Sequence, residues 1–163
     1  KFTSFVFNEM KEKSIHRMEG PIGQFYLRES DKPIVFIAGG TGFAPIKSII
    51  EDMIFTKNER KIYLYRGVRS VEDFYLTDLV ANWITKLENL TYIPVVEDGL
   101  SDDARSGFVH HAALEDFKNL SDVQIYCCGA PGLVENAFLD LTKNGLPEDQ
   151  FFADAFTFAP KKK

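Results

Sequence analysis

Residues 34–45 read Ile34-Val35-Phe36-Ile37-Ala38-Gly39-Gly40-Thr41-Gly42-Phe43-Ala44-Pro45. The apolar run at 34–38, rich in β-branched residues, reads as a buried strand. It ends in a glycine-rich turn. Beyond it, Ile46, Ile49, Ile50, Met53 and Ile54 fall at helical spacing, and Pro45 suits a first helical turn. A plain strand-to-helix turn needs one glycine, and this one has three. Glycines let the backbone approach a ligand closely. At a helix start the main-chain N–H groups lack intrahelical partners and make an anion site. A pyrophosphate is the natural occupant. The spacing is G-x-G-x-x-P at Gly40, Gly42 and Pro45, a departure from the usual dinucleotide fingerprint. No acidic residue closes the next strand, where one would hold the adenine ribose. Arg66 and Arg69 stand there instead. No Gly-Lys-Ser/Thr follows, so ATP hydrolysis is not expected.

Outward from this turn, strands and helices alternate. Strands are predicted over 61–66, 91–96, 123–128 and 150–154, and helices over 76–87, 109–117 and 131–144. Leu79, Val80, Trp83, Ile84 and Leu87 share one face of the second helix. Residues 97–106 read as an acidic loop. Five strands with helices between them predict an α/β fold, a doubly wound five-stranded parallel sheet covered on both faces. Ligands bind such sheets at the carboxyl ends of the strands, where the winding reverses. The turns after the first and fourth strands both lie at that edge. Residues 1–32 differ: short alternating segments around Phe5–Phe7 and Gln24–Leu27 suggest β structure without helices, too short for a barrel of its own.

The chain has 163 residues, 45% hydrophobic and 26% charged, which fits one ordinary globular domain with a fragment of a second. A net charge of -5 argues against a nucleic-acid partner. No apolar run approaches a membrane span, so no membrane partner and a cytoplasmic location are expected. Cys127 and Cys128 are adjacent, no CxxC is present, and His16, His110 and His111 do not combine with them at ligand spacing. No metal site is expected.

Several segments together resemble the ferredoxin–NADP reductase superfamily. Residues 39–48, Gly-Gly-Thr-Gly-Phe-Ala-Pro-Ile-Lys-Ser, are similar to its nicotinamide-nucleotide loop, and Tyr126-Cys127-Cys128-Gly129-Ala130-Pro131 to its Cys-Gly-x-Pro signature. Gly20-Pro21-Ile22-Gly23-Gln24-Phe25 resembles the segment closing the family's flavin domain. Phe151-Phe152-Ala153-Asp154-Ala155-Phe156, and Tyr65-Arg66-Gly67-Val68-Arg69 with Asp73 and Tyr75, resemble the branch with CDP-6-deoxy-glucoseen and phenol-hydroxylase-type reductases. The resemblance covers nearly the whole chain. The family's Arg-x-Tyr-Ser/Thr flavin motif is absent.

The resemblance implies three segments: 1–32 as the end of a flavin-binding barrel, 33–158 as the NAD(P)H-binding domain, and 159–163 as a tail. It implies NADH or NADPH as cofactor, with FAD bound mostly by an upstream flavin domain in cis. A ferredoxin-like or oxygenase redox partner is implied, and some relatives carry a 2Fe-2S domain. Hydride would pass from nicotinamide to flavin, whose chemistry the protein positions. Thr41 and Gly42 would face the nicotinamide–pyrophosphate region, with Gly129, Ala130 and Pro131 on the other wall. Cys128 would pack near the nicotinamide; a nucleophilic role lacks a base. Phe156 would cover the flavin ring. Arg66 and Arg69 could contact the adenosine end, where guanidinium forks match a 2′-phosphate, and NADH versus NADPH stays open. Asp154 reads as a solvated carboxylate, and the acidic loop as solvated surface or a docking site. The competing reading is a non-catalytic nucleotide-binding sensor or assembly module of the same fold.

Overall fold

The computed structural model describes residues 2–20, 22–98 and 102–155. Its centre is the predicted strand, β1 (Ile34–Gly39), in which residues 34–38 are wholly buried. The glycine turn, one turn of 3-10 helix at Gly40–Gly42, leads into α2 (Phe43–Phe55). The helix begins two residues before Pro45, which therefore sits in the first turn, where its missing N–H costs no helical bond. There follow β2 (Ile62–Val68), α3 (Thr77–Lys86), β3 (Leu90–Val96), β4 (Arg105–Ser106), α4 (Val109–Asp116), β5 (Gln124–Gly129), α5 (Pro131–Lys143) and β6 (Phe151–Ala155). Each predicted strand and helix from residue 34 onward is present within three residues of its expected ends.

All pairings are parallel, in the order β4-β3-β2-β1-β5-β6. The chain winds outward from β1 through β2 and β3, then returns to place β5 on the other side. The winding therefore reverses between β1 and β5. Two cores cover the faces. One holds Phe36, Ile46, Ile50, Leu64, Val80 and Trp83 beneath α2 and α3. The other holds Val35, Ile37, Ala113, Ile125, Ala137 and Leu141 beneath α4 and α5. Alternation along the strands divides their side chains between these two cores, as a sheet covered on both faces requires.

The sheet has six strands, not the five expected. The addition is β4, two residues inside the stretch read as an acidic loop, paired with Val95 and Val96. Two exposed polar residues carry no hydrophobic alternation, so the pairing has no sequence signal. Arg105 anchors it, its guanidinium 2.9 Å from Asp116 of α4, whose other carboxylate oxygen accepts from the Tyr65 hydroxyl at 2.7 Å.

The β expectation for the N-terminal stretch is corrected. Its first element is a helix, α1 (Phe2–Asn8), and no strand occurs among the described residues before Ile34. Strand amides need a neighbouring strand, whereas helical amides bond within their own segment. Only the end of this stretch meets the sheet: the Tyr126 hydroxyl accepts from the Arg28 amide at 2.8 Å, and Phe25 packs edge-on against Tyr126. No helix among the described residues is long and apolar enough to cross a membrane.

Candidate functional site

The turns after β1 and β5 flank the point where the winding reverses. A cavity of about 550 Å³ opens there, lined by Gly40, Thr41, Arg69, Tyr75, Glu97 and Ala130 among others. Two helices begin at this edge. Neither α2 nor α5 has a side-chain cap, and neither has an acidic residue in its first turn. Both starts keep the positive end of the helix dipole unopposed by a side chain, which suits a bound anion.

The glycines serve different purposes. Gly40 has φ +51°, a left-handed conformation that side chains seldom adopt, with open space where a Cβ would stand. Gly42 has ordinary helical angles but no room. A Cβ there would overlap the carbonyl of Cys128 and lie 2.7 Å from the amide of Gly129. Gly42 thus locks the first turn against the second. Cys128 is fully buried, and its backbone is the surface on which Gly42 rests. Burial, and then the nearby Asp154 carboxylate, push the Cys128 thiol up to about 12. A thiol held protonated is a packing group and not a nucleophile.

The sequence-predicted residues fall into three sets. Gly40, Thr41, Arg69 and Ala130 line the cavity. Gly42, Cys128 and Gly129 are buried behind its wall, and Pro131 opens α5 as its first residue. Pro45 lies instead on a neighbouring groove of about 790 Å³ that also involves Phe25, Arg28, Phe152 and Asp154. Phe156 lies outside the described residues.

Arg66 is not on the rim, where the sequence reading puts it. It is fully buried, its guanidinium carbon 4.1 Å from the centre of the Phe43 ring and 4.5 Å from that of Tyr75. Burial holds its pKa below the usual arginine range, partly offset by Tyr92 and Tyr75. Its side-chain nitrogens are buried short of a well-formed hydrogen bond, and the Tyr92 hydroxyl, a neutral group, is the polar atom that faces them. The strand pattern explains the error: Arg66 alternates onto the α2/α3 face, beside Leu64, while the next two residues reach the edge. Tyr75 connects this cation to the turn, its hydroxyl 3.4 Å from the carbonyl oxygen of Gly40.

The rim is charged. Arg69 is exposed, and its Nε donates to Asp98 at 2.8 Å; that hydrogen bond and the carboxylate's charge raise its pKa. Glu97 and Asp73 also line the cavity near it. Asp73 accepts from the Ser70 amide at 3.1 Å, which pins the start of the loop carrying Tyr75. Glu97 was missed in the sequence as a lining residue because it belongs to the stretch read as solvated loop. Its only signal was its place just after a parallel strand, at the ligand-binding edge.

The family model "Oxidoreductase NAD-binding domain" matches residues 36–138, which span both turns and the sheet between them. The chain belongs to this NAD-binding family. The chain is 45% identical over 159 residues to Protein RfbI of Salmonella typhimurium, covering 95% of this chain and 47% of the relative. It is 42% identical to CDP-6-deoxy-L-threo-D-glycero-4-hexulose-3-dehydrase reductase of Yersinia pestis, with 95% and 47% covered. Reductase component 1 of the Comamonas terephthalate 1,2-dioxygenase is 34% identical over 160 residues, with 96% of this chain and 48% of that one covered. Among solved structures, the Amycolatopsis cytochrome P450 reductase GcoB superposes with TM-score 0.79 at 28% identity, covering 84% of this chain and 42% of that one. The chain spans about half the length of the curated relatives it matches.

Proposed function

We propose that this chain is the nicotinamide-nucleotide half of a flavin-dependent reductase that uses NADH. The cavity between the β1 and β5 turns carries the reading, because two uncapped helix starts converge there on a site floored by backbone. The Gly40–Gly42 turn would hold the diphosphate, Arg69 and Glu97 would flank the adenosine, and Ala130 and the Cys128 end of β5 would flank the nicotinamide. When bound, nicotinamide supplies a hydride to a flavin held by an upstream domain in cis. The chain's own residues orient that ring and present the diphosphate with amides.

Arg66 adds a fixed charge. It is a buried cation with no anion partner among its recorded contacts, packed on the first aromatic residue of α2. A diphosphate at the turn supplies the missing negative charge at short range, across a medium poorer than water at screening.

The rim selects NADH. Arg69 is already paired with Asp98, and Glu97 and Asp73 add negative charge beside it. A 2′-phosphate placed here meets more carboxylates than free guanidinium groups, which disfavours NADPH.

Several observations support a flavin domain in cis. Phe2, Phe7, Ile15, Met18 and Ile22 are each at least 75% exposed, an apolar set with nothing from the sheet to cover it. The relatives are about twice this length. We assign residues 1–32 to that flavin-binding unit, 33–158 to the NADH domain and 159–163 to a tail. The acceptor is an iron–sulfur or oxygenase partner, as the names of the dioxygenase reductase and ferredoxin reductase relatives suggest. A cytoplasmic location suits two buried cysteines left unpaired.

Calorimetric titration of the chain with NADH, NADPH and ADP-ribose tests the reading. Heat with NADH and ADP-ribose, and weaker binding of NADPH, is the expected result. No binding of any of the three overturns it.

A further inference from the structure

His110 and His111 open α4, and Asp140 lies in the last turn of α5, away from the cavity lining. The Nε2 atoms of both histidines are 3.3 Å from the same oxygen, Oδ2 of Asp140. One potential ligand atom from each of the three residues lies within 4.8 Å of the others. The imidazole rings are 4.3 Å apart, and the Phe108 ring packs near both, at 5.9 and 5.6 Å.

As hydrogen bonds these contacts are long. A charge-assisted N–H to carboxylate bond closes to roughly 2.7–2.9 Å. The two nitrogen-to-oxygen distances match a different geometry, with the ligating nitrogens within 4.8 Å of each other. A tetrahedral ion with metal–nitrogen and metal–oxygen bonds of about 2.0–2.1 Å holds its ligand atoms about 3.3–3.4 Å apart. We propose that His110, His111 and Asp140 form a binding site for a zinc-class divalent cation, clamping the start of α4 to the end of α5.

The chemistry of the set agrees. Two imidazoles and one carboxylate suit zinc and similar borderline ions, not calcium or magnesium. Three protein ligands leave the fourth position to water. That position has access, since the side chains of His111 and Asp140 are 53% and 40% exposed. His110 has only 5% of its side chain exposed, so its ring is held in place by the surrounding packing. Asp140 stands at the negative end of the α5 dipole, which favours a cation. One feature limits the affinity: Nδ1 of His110 is buried without a partner, so no acceptor supports a metal-bound tautomer. Losing such support costs roughly 10–100-fold in affinity.

The test is titration of the tag-free chain with zinc chloride by calorimetry, and with cobalt(II) chloride by visible absorption. One zinc ion per chain is expected, with the intense visible band of tetrahedral cobalt. His111→Ala, at an exposed position that tolerates truncation, and Asp140→Asn each weaken zinc binding by about tenfold or more. His16→Ala, in the N-terminal stretch, leaves it unchanged. A chain that binds no zinc at millimolar concentration, or a His111→Ala variant that binds zinc as the parent does, overturns the site. NADH binding is read separately, so failure of this inference leaves the dinucleotide reading standing.

Discussion

Gly39, Gly40 and Ala130 form the floor of the cavity with little but backbone, whereas Arg69, Asp73 and Glu97 form its rim with exposed charge. The floor is backed by a close-packed, buried layer: Gly42 rests on the Cys128 carbonyl, and Arg66 fills the space behind Phe43 and Tyr75. The rim is adjustable because water screens it and its side chains can turn. A floor of main-chain dipoles recognises a diphosphate and no particular nucleotide. The rim decides which nucleotide is kept. Substitutions in the two places should therefore fail in different ways.

The largest effect is expected directly beneath the floor. Gly42→Val drives side-chain atoms into the Cys128 carbonyl, so the two turns separate. NADH binding is lost and the melting temperature falls, both measurable in one thermal-shift titration. A Gly42→Val chain with parental affinity would break the comparison. Behind the floor, Arg66→Met keeps the bulk and removes the charge. NADH affinity should fall roughly tenfold, equivalent to about 1.4 kcal/mol. Unliganded stability should hold or rise, because a buried charge with no counter-charge among its recorded contacts is removed. Loss of unliganded stability with unchanged affinity would make Arg66 a packing residue only.

At the rim a smaller change is expected, and it should alter preference instead of abolishing binding. Asp98→Asn releases Arg69 and removes one negative charge. The NADPH-to-NADH affinity ratio should rise roughly threefold, within the range of an exposed ion pair. The rise should shrink as salt is added. An unchanged ratio would place the adenosine elsewhere.

The smallest effect is in pH dependence. The Cys128 thiol is protonated in the fold up to about pH 12, while an unfolded thiol ionises near the usual value of about 8.5. Above that value the unfolded state binds fewer protons, so stability falls as pH rises toward 12. Urea midpoints measured on either side of pH 9 should show the fall, and Cys128→Ala should lessen it, the remainder coming from Cys127, whose thiol burial also pushes up. Native Cys128 should also resist alkylation near neutral pH.

The buried strands, the helix stripes and the glycine turn were legible in the sequence because each follows a local rule. Ile34–Ala38 is too apolar to lie at a surface, Trp83 and Val80 share a helix face, and three glycines mark a turn where backbone must approach something. Those local rules determined the α/β class and the position of the ligand turn. They could not decide relations between distant segments. β4 has two polar residues and exists only because β3 offers a free edge. Arg66 and Arg69 are alike in sequence, yet the strand buries one beneath Phe43 and leaves the other to Asp98. Asp140 meets His110 and His111 only because α4 and α5 pack side by side. Composition and periodicity record what a residue prefers, but its partner is set by the packing of whole elements, and that is decided only when the sheet closes around its two cores.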